Sequence, residues 1–224
     1  MLQVLHETKD YIVVNKPSGL ITEKNPWETA LEDQVFEYLL KSKKQPFVGV
    51  VHRLDRVTSG VILFAKTKSA LKYFNALLVS KKMNKIYLAV VENKSITKKA
   101  KLEHFLSKES HSKKAIVVSK GQTKAKLATL FYSRWGVAKA YALLQIKPIT
   151  GRYHQIRVQL SAINCPIIGD ELYGSEEPYL EQSVCLHAWQ LKFKEPQSDD
   201  VICVTAQIPE SAPWSLFSKL VKSK

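Results

Sequence analysis

The sequence is short of several things, and each shortage removes a class of protein. It holds three cysteines, Cys165, Cys185 and Cys203, an odd number, scattered and set in apolar contexts. That pattern suits neither a disulfide framework nor a zinc site, and predicts small core residues in a reducing compartment. No apolar run approaches the ~20 residues that a membrane-spanning helix requires. The first residues, Met-Leu-Gln-Val-Leu-His-Glu, lack the basic start and long apolar core of a signal peptide. A cytoplasmic protein is expected. No fixed-period repeat, low-complexity linker or clear boundary breaks the 224 residues, so a single domain over 1–224 is expected, long enough to bury a sizeable core.

Acidic residues are scarce as well: 20 against 34 basic ones, a net charge of +14 and a pI near 9.6. Such an excess points to an anionic partner. It is also concentrated, since residues 94–126 carry ten lysines and only two acids, Glu103 and Glu109. Arginine is scarcer still. Of its five copies, four fall in two short segments: Arg53 and Arg56 in His-Arg-Leu-Asp-Arg-Val-Thr-Ser-Gly (52–60), and Arg152 and Arg157 in Gly-Arg-Tyr-His-Gln-Ile-Arg (151–157). A chain that otherwise uses lysine places arginine where a planar fork has value, for carboxylate pairing or phosphate recognition.

The first of these segments organises the chain. An apolar approach (Val48, Val50, Val51) leads into it and Val-Ile-Leu-Phe-Ala (61–65) leads out, which reads as strand, turn, strand with Gly60 ending the turn. Asp55 between Arg53 and Arg56 is expected to stay ionised, because adjacent positive charge favours the carboxylate. A plain turn-capping aspartate does not account for a carboxylate, two arginines, a histidine and two hydroxyls crowded into nine residues.

In chain order, 4–5 and 11–15 predict short strands, and Lys-Pro-Ser-Gly-Leu (16–20) a fixed turn. Apolar spacing predicts helices over 28–40 and 69–80, the second with Ser69 as N-cap. Residues 84–91 are strongly β-prone, and 94–126 adds hairpins. Residues 125–132 and 138–147 read as two strands joined through Arg134-Trp135-Gly136. Residues 186–193 and 201–206 give the last strands, and 214–221 a closing helix. The class is α+β with a large, mostly antiparallel sheet.

Six segments carry a specific resemblance. Asn-Lys-Pro-Ser-Gly-Leu (15–20), His-Arg-Leu-Asp with Thr-Ser-Gly (52–60), Lys-Ile-Tyr-Leu-Ala (85–89), Gly-Arg-Tyr-His-Gln-Ile-Arg (151–157), Pro166 to Asp170 with Leu-Tyr-Gly (172–174), and Leu-His-Ala (186–188) stand in the order seen in RluA-type pseudouridine synthases. The resemblance implies a mixed sheet with flanking helices and an RNA-binding cleft. It also implies isomerisation of uridine to pseudouridine in ribosomal or transfer RNA with no cofactor or metal; a monomer with no membrane partner is expected. Asp55 then resembles the catalytic aspartate, Tyr87 the active-site tyrosine, and Arg157 the arginine that pairs with the aspartate, with Arg152 second for that role. Tyr153 departs from the Thr or Ser usual there, and no accessory RNA-binding domain is expected within the chain.

The residue chemistry agrees with that reading. An ionised aspartate can stabilise or trap a sugar as its base departs. A glycosidase needs a second carboxylate as general acid, and neither polar segment supplies one. Asp170 is the nearest alternative, and reads first as a turn residue. Arg53, Arg56, Arg152, His154 and Lys113, Lys114, Lys124 and Lys126 are expected to face RNA. Lys16 is placed to touch RNA backbone, or as a strand-end lysine facing water. His52, His154 and His187 suit structural hydrogen bonds and receive no catalytic role. A catalytically silent RNA-binding protein on the same fold is the rival, disfavoured because binding alone requires none of Asp55, Tyr87 and Arg157.

Overall fold

The computed structural model describes residues 2–94, 96–109, 112–198 and 200–223. In chain order these form β1 (Gln3–Glu7), β2 (Tyr11–Lys16), α1 (Leu31–Leu40), β3 (Gly49–Val50), β4 (Ser59–Ala65) and α2 (Lys68–Val79). Then come β5 (Asn84–Glu92), β6 (Lys99–Lys108), β7 (Ala115–Val118), β8 (Lys126–Ala138), β9 (Tyr141–Pro148) and α3 (Gln155–Ser161). The chain ends with β10 (Leu186–Lys194), β11 (Val201–Thr205) and α4 (Ser218–Lys222). It divides into two units, Met1–Lys85 with His187–Gln207, and Ile86–Leu186 with Ile208–Lys224.

In the first unit β2 pairs antiparallel with both β1 and β4, while β10 pairs parallel with β4 and antiparallel with β11. The sheet is mixed and mostly antiparallel, as expected. Tyr11, Phe74 and Phe193 meet edge to face at centroid distances of 5.3–5.4 Å, and Val13, Leu63, Leu77 and Leu191 pack around them. α1 turns Leu31, Val35 and Leu39 inward at a spacing of four, and Asp33 accepts the Ala30 N–H at its start. α2 is capped by Thr67, whose Oγ1 accepts from Ala70 N, so the cap stands two residues before the expected Ser69.

Gly60 does not end a turn. It is the second residue of β4, opposite Lys16 on one side and Ala188 on the other. Its φ is +115°, and a Cβ there would lie within 2.7 Å of the O, N and C atoms of Ala188. Only glycine lets β10 approach so closely.

In the second unit the strands run β5-β9-β8-β6-β7, all antiparallel. The lysine-rich stretch supplies the β6–β7 hairpin; Ser110 and His111 lie outside the described residues. Arg134-Trp135-Gly136 does not join two strands. A register shift there makes it a bulge inside the 13-residue β8, and the chain reverses after Ala138 instead. A bulge absorbs one residue and keeps the ladder, which strand-length patterning cannot distinguish from a turn. The closing segment is a 3-10 turn, Trp214–Phe217, followed by the short α4 rather than one helix. Cys165 and Cys185 are buried as expected, whereas Cys203 is exposed on β11.

The glycines separate two costs. Gly60→Ala combines left-handed strain with a backbone collision and should lose about 3 kcal/mol or more. Gly174, with φ of +91° and no heavy atom within 4 Å of the place a Cβ would take, should lose only ~1 kcal/mol as Ala. Gly151→Ala should be near neutral, because nothing lies within 4 Å and no positive φ is required. Urea unfolding midpoints rank the three; equal losses at 60 and 174 would rule out the collision.

Candidate active site

Asp55 sits half-buried in the loop between β3 and β4, and its backbone is fixed from three sides. Thr22 Oγ1 donates to the Leu54 carbonyl at 3.0 Å and accepts from Leu54 N at 3.2 Å. Thr58 N donates to the Asp55 carbonyl at 3.0 Å, closing a four-residue turn. The Arg56 carbonyl accepts from Gly19 N at 2.9 Å and from Lys16 Nζ at 3.0 Å. The segment 15–20 is therefore the brace of the Asp55 turn.

Lys16 corrects the expectation that it touches RNA or faces water. It is fully buried, and its Nζ also donates to the carbonyls of Pro17 at 2.8 Å and Leu20 at 2.6 Å. Three carbonyls match the three N–H donors of an ammonium and leave none for a phosphate. Loss of hydration lowers its pKa from 10.5 to about 7, a fall that Asp55 opposes and Arg56 reinforces.

The two arginines beside Asp55 each meet an acid from an earlier loop. Arg53 Nη1 donates to Glu23 at 2.9 Å, and Arg56 grips both carboxylate oxygens of Glu28. Both acids lie on the loop before α1, about 30 residues away in sequence, which is why the spacing hid them. Two histidines lie against β4. His52 Nε2 accepts from Leu63 N at 3.3 Å, and burial pushes its pKa well below the ordinary value. His187 Nδ1 lies 2.8 Å from Ser59 Oγ, and burial lowers it to about 4.

Arg157 and Tyr87 belong to the second unit. Tyr87 is buried on β5 opposite Ile146. Arg157 projects from α3 and directs its two-pronged edge at Asp170, Nε to Oδ2 and Nη2 to Oδ1, both at 2.7 Å. Arg157 and Asp170 are 5% and 1% exposed. Asp170, read from sequence as a turn residue, is the partner that reading missed; a carboxylate directly after Ile-Ile-Gly was its signal.

Around this pair further contacts extend the network. Arg157 Nη1 lies 3.2 Å from His154 Nε2, and the Tyr173 ring lies under the guanidinium at 5.0 Å. An arginine only donates, so His154 carries its hydrogen on Nδ1 and gives it to Tyr173 Oη at 2.9 Å. Tyr173 Oη also accepts from Ala115 N at 2.8 Å. Burial first, then Arg157, lowers His154 to about 3, so it is neutral, with both nitrogens engaged, and does not turn a cation to RNA. Tyr153 stacks on His154 at 3.8 Å and donates to the Lys113 carbonyl at 2.9 Å, tying the basic hairpin to α3. Arg152 is exposed, with Nε on the Leu127 carbonyl at 3.0 Å. Lys113, Lys124 and Lys126 are exposed and Lys114 partly so.

A profile of the RNA pseudouridylate synthase family matches residues 10–162. The chain belongs to that family. It is 35% identical over 201 residues to ribosomal large subunit pseudouridine synthase D of Borreliella burgdorferi, covering 85% of this chain and 60% of that relative, so it spans three fifths of that protein's length. With tRNA pseudouridine synthase C of Vibrio vulnificus it shares 27% over 227 residues, covering 93% of this chain and 91% of the relative. Among solved structures, human RNA pseudouridylate synthase domain containing 4 superposes with a TM-score of 0.76 at 25% identity, over 92% of this chain and 88% of that one. The family and fold class expected from the six segments are borne out. Among the described residues of this pseudouridylate synthase family member, no helix is long and apolar enough to cross a membrane.

Two measurements test the buried charges. Asp170→Asn removes the carboxylate that the Arg157 fork grips and should cost about 3–5 kcal/mol in urea unfolding, more than replacing both partners with apolar residues. For Lys16, the folded protein gives up its proton near pH 7 and the unfolded chain near 10.5. The unfolded state therefore binds more protons between those limits, and stability from this group rises with pH across that window. The stability difference between wild type and Lys16→Met should grow in favour of wild type above pH 7, by at most about 1.4 kcal/mol per unit. A flat difference up to pH 10 would show that the three carbonyls keep Lys16 charged.

Proposed function

We propose that this protein isomerises uridine to pseudouridine in ribosomal or transfer RNA, with Asp55 as the residue that acts on the sugar. The observation that carries this is the braced turn: a carboxylate left half-exposed while the backbone around it is held by Thr22, Gly19 and a fully buried ammonium. Rigid support for one polar side chain is what a catalytic group needs, since misplacement by ~1 Å costs rate steeply. A silent RNA-binding domain has no use for it.

The chemistry balances without an external reagent. The bond from uracil N1 to the ribose C1′ breaks as the Asp55 carboxylate stabilises the sugar, covalently or as an anion. The base turns, C5 bonds to C1′, and the proton on C5 is lost while N1 gains one. No electron is gained or lost overall. We assign Tyr87 to the flipped base, its ring for stacking and its hydroxyl for proton movement, and Arg157 to the electrostatics of the same reaction. The exposed lysines Lys113 of the β6–β7 hairpin, Lys124 of the turn before β8 and Lys126 at the start of β8 are assigned to phosphate. Relatives named for ribosomal and for transfer RNA support both substrate classes.

Asp55→Asn keeps the size of the side chain and removes the anion. Release of tritium from C5-labelled uridine in RNA should fall by about a thousandfold or more, while the urea midpoint and RNA affinity stay near wild type. Turnover within tenfold of wild type would remove Asp55 from the mechanism. Tyr87→Phe should bind RNA normally and form product slowly; an unchanged rate would leave only the ring with a role.

A further inference from the structure

In the second unit, strand register sets Lys101 opposite Phe131 and Phe131 opposite Lys147, so that β6, β8 and β9 contribute one row of side chains. The neighbouring row on the same face is Lys99, Ser133 and Gln145. Between them lies the row Ala100, Tyr132 and Ile146, pointing to the opposite face, where Tyr87 stands opposite Ile146. The two faces differ sharply. Tyr132 and Ile146 are buried, whereas Phe131 is 44% exposed and Lys99, Lys101 and Lys147 are exposed around it. These residues line a groove of about 530 Å³. Glu103, 2.8 Å from Lys101, lies on this face, and Glu92 shares it at the far edge beside Tyr141, so the three lysines keep the balance positive.

We propose that this face binds a single-stranded segment of RNA, stacking an unpaired base on Phe131 while Lys99, Lys101 and Lys147 take the flanking phosphates. The inference rests on RNA being the substrate and adds a contact surface on the sheet face opposite Tyr87. A phenyl ring fixed on a three-stranded ladder is a stacking platform that accepts any base. Lysines close on either side are what a phosphate backbone selects, and they argue against a protein partner, because the cores of protein interfaces are depleted in lysine. An RNA held here extends beyond the reacting uridine, to the far side of the sheet that carries Tyr87.

The test uses anisotropy of a fluorescein-labelled oligouridylate of about 20 nucleotides, alone and annealed to oligoadenylate, because stacking on one ring requires unpaired bases. Phe131→Ala should weaken single-strand binding about tenfold, leave the duplex unchanged, and be rescued by Phe131→Tyr. Changing Lys99, Lys101 and Lys147 together to Gln should lower the slope of log affinity against log salt by about 2, as three lost phosphate contacts require. Wild-type single-strand affinity in Phe131→Ala overturns the proposal, as does a loss that falls equally on the duplex or an unchanged salt slope in the triple variant. Tritium release from C5-labelled uridine is read in parallel. No wild-type release together with Phe131-dependent binding removes the isomerase reading and leaves this face standing. Release with Phe131-independent binding removes the face alone.

Discussion

A lysine ammonium buried at the end of a strand holds the Asp55 turn in place. Lys16 Nζ binds the carbonyls of Pro17, Leu20 and Arg56, which belong to two segments some 40 residues apart in sequence. Removing an ammonium from water is expensive, and it is tolerated only where every donor finds an acceptor. That cost makes the arrangement specific. An alternative path for either loop would leave a buried charge unsatisfied, so the turn has one low-energy geometry. Asp55 itself acts on Lys16 as a favourable charge, so support and supported group attract each other.

The second unit also buries a cation, here against a carboxylate. Arg157 and Asp170 form a two-pronged pair with almost no exposure, and His154 and Tyr173 stand beside it. Such a pair contributes little net stability compared with apolar packing of the same volume, but losing one partner is costly. Its use is to fix the orientation of a guanidinium on a short helix. The exposed pair Arg53 and Glu23 stands in contrast: solvent screens it, and it stabilises the fold by a fraction of a kcal/mol.

Charge type is sorted by task across the molecule. Arg56 and Arg157 turn their forks to carboxylates of the protein, Arg53 meets another through Nη1, and Arg152 binds a carbonyl. Lysines carry the solvent-facing positive charge, on the β6–β7 hairpin and around Phe131. A compact, mobile ammonium suits a phosphate backbone that must be held without regard to sequence, whereas a planar fork suits a partner of fixed geometry.

Much of this was legible in the primary sequence. Strands β1, β2, β5 and β10, both longer helices, the Asp55 turn and the family itself follow from period-two and period-four patterning and from six short segments in order. These signals survive in sequence because they rest on contacts between near neighbours. What tertiary structure decided was pairing. The composition predicted that arginines would meet carboxylates, but not that Glu23, Glu28 and Asp170 would be the carboxylates, because each lies on a loop brought near only by folding. Lys16 looked like a surface lysine for the same reason: its three acceptors are backbone carbonyls, and a carbonyl leaves no mark in a sequence. Gly60 was recognisable as a special position, but its requirement comes from a strand more than a hundred residues later, whose backbone occupies the space a side chain would need.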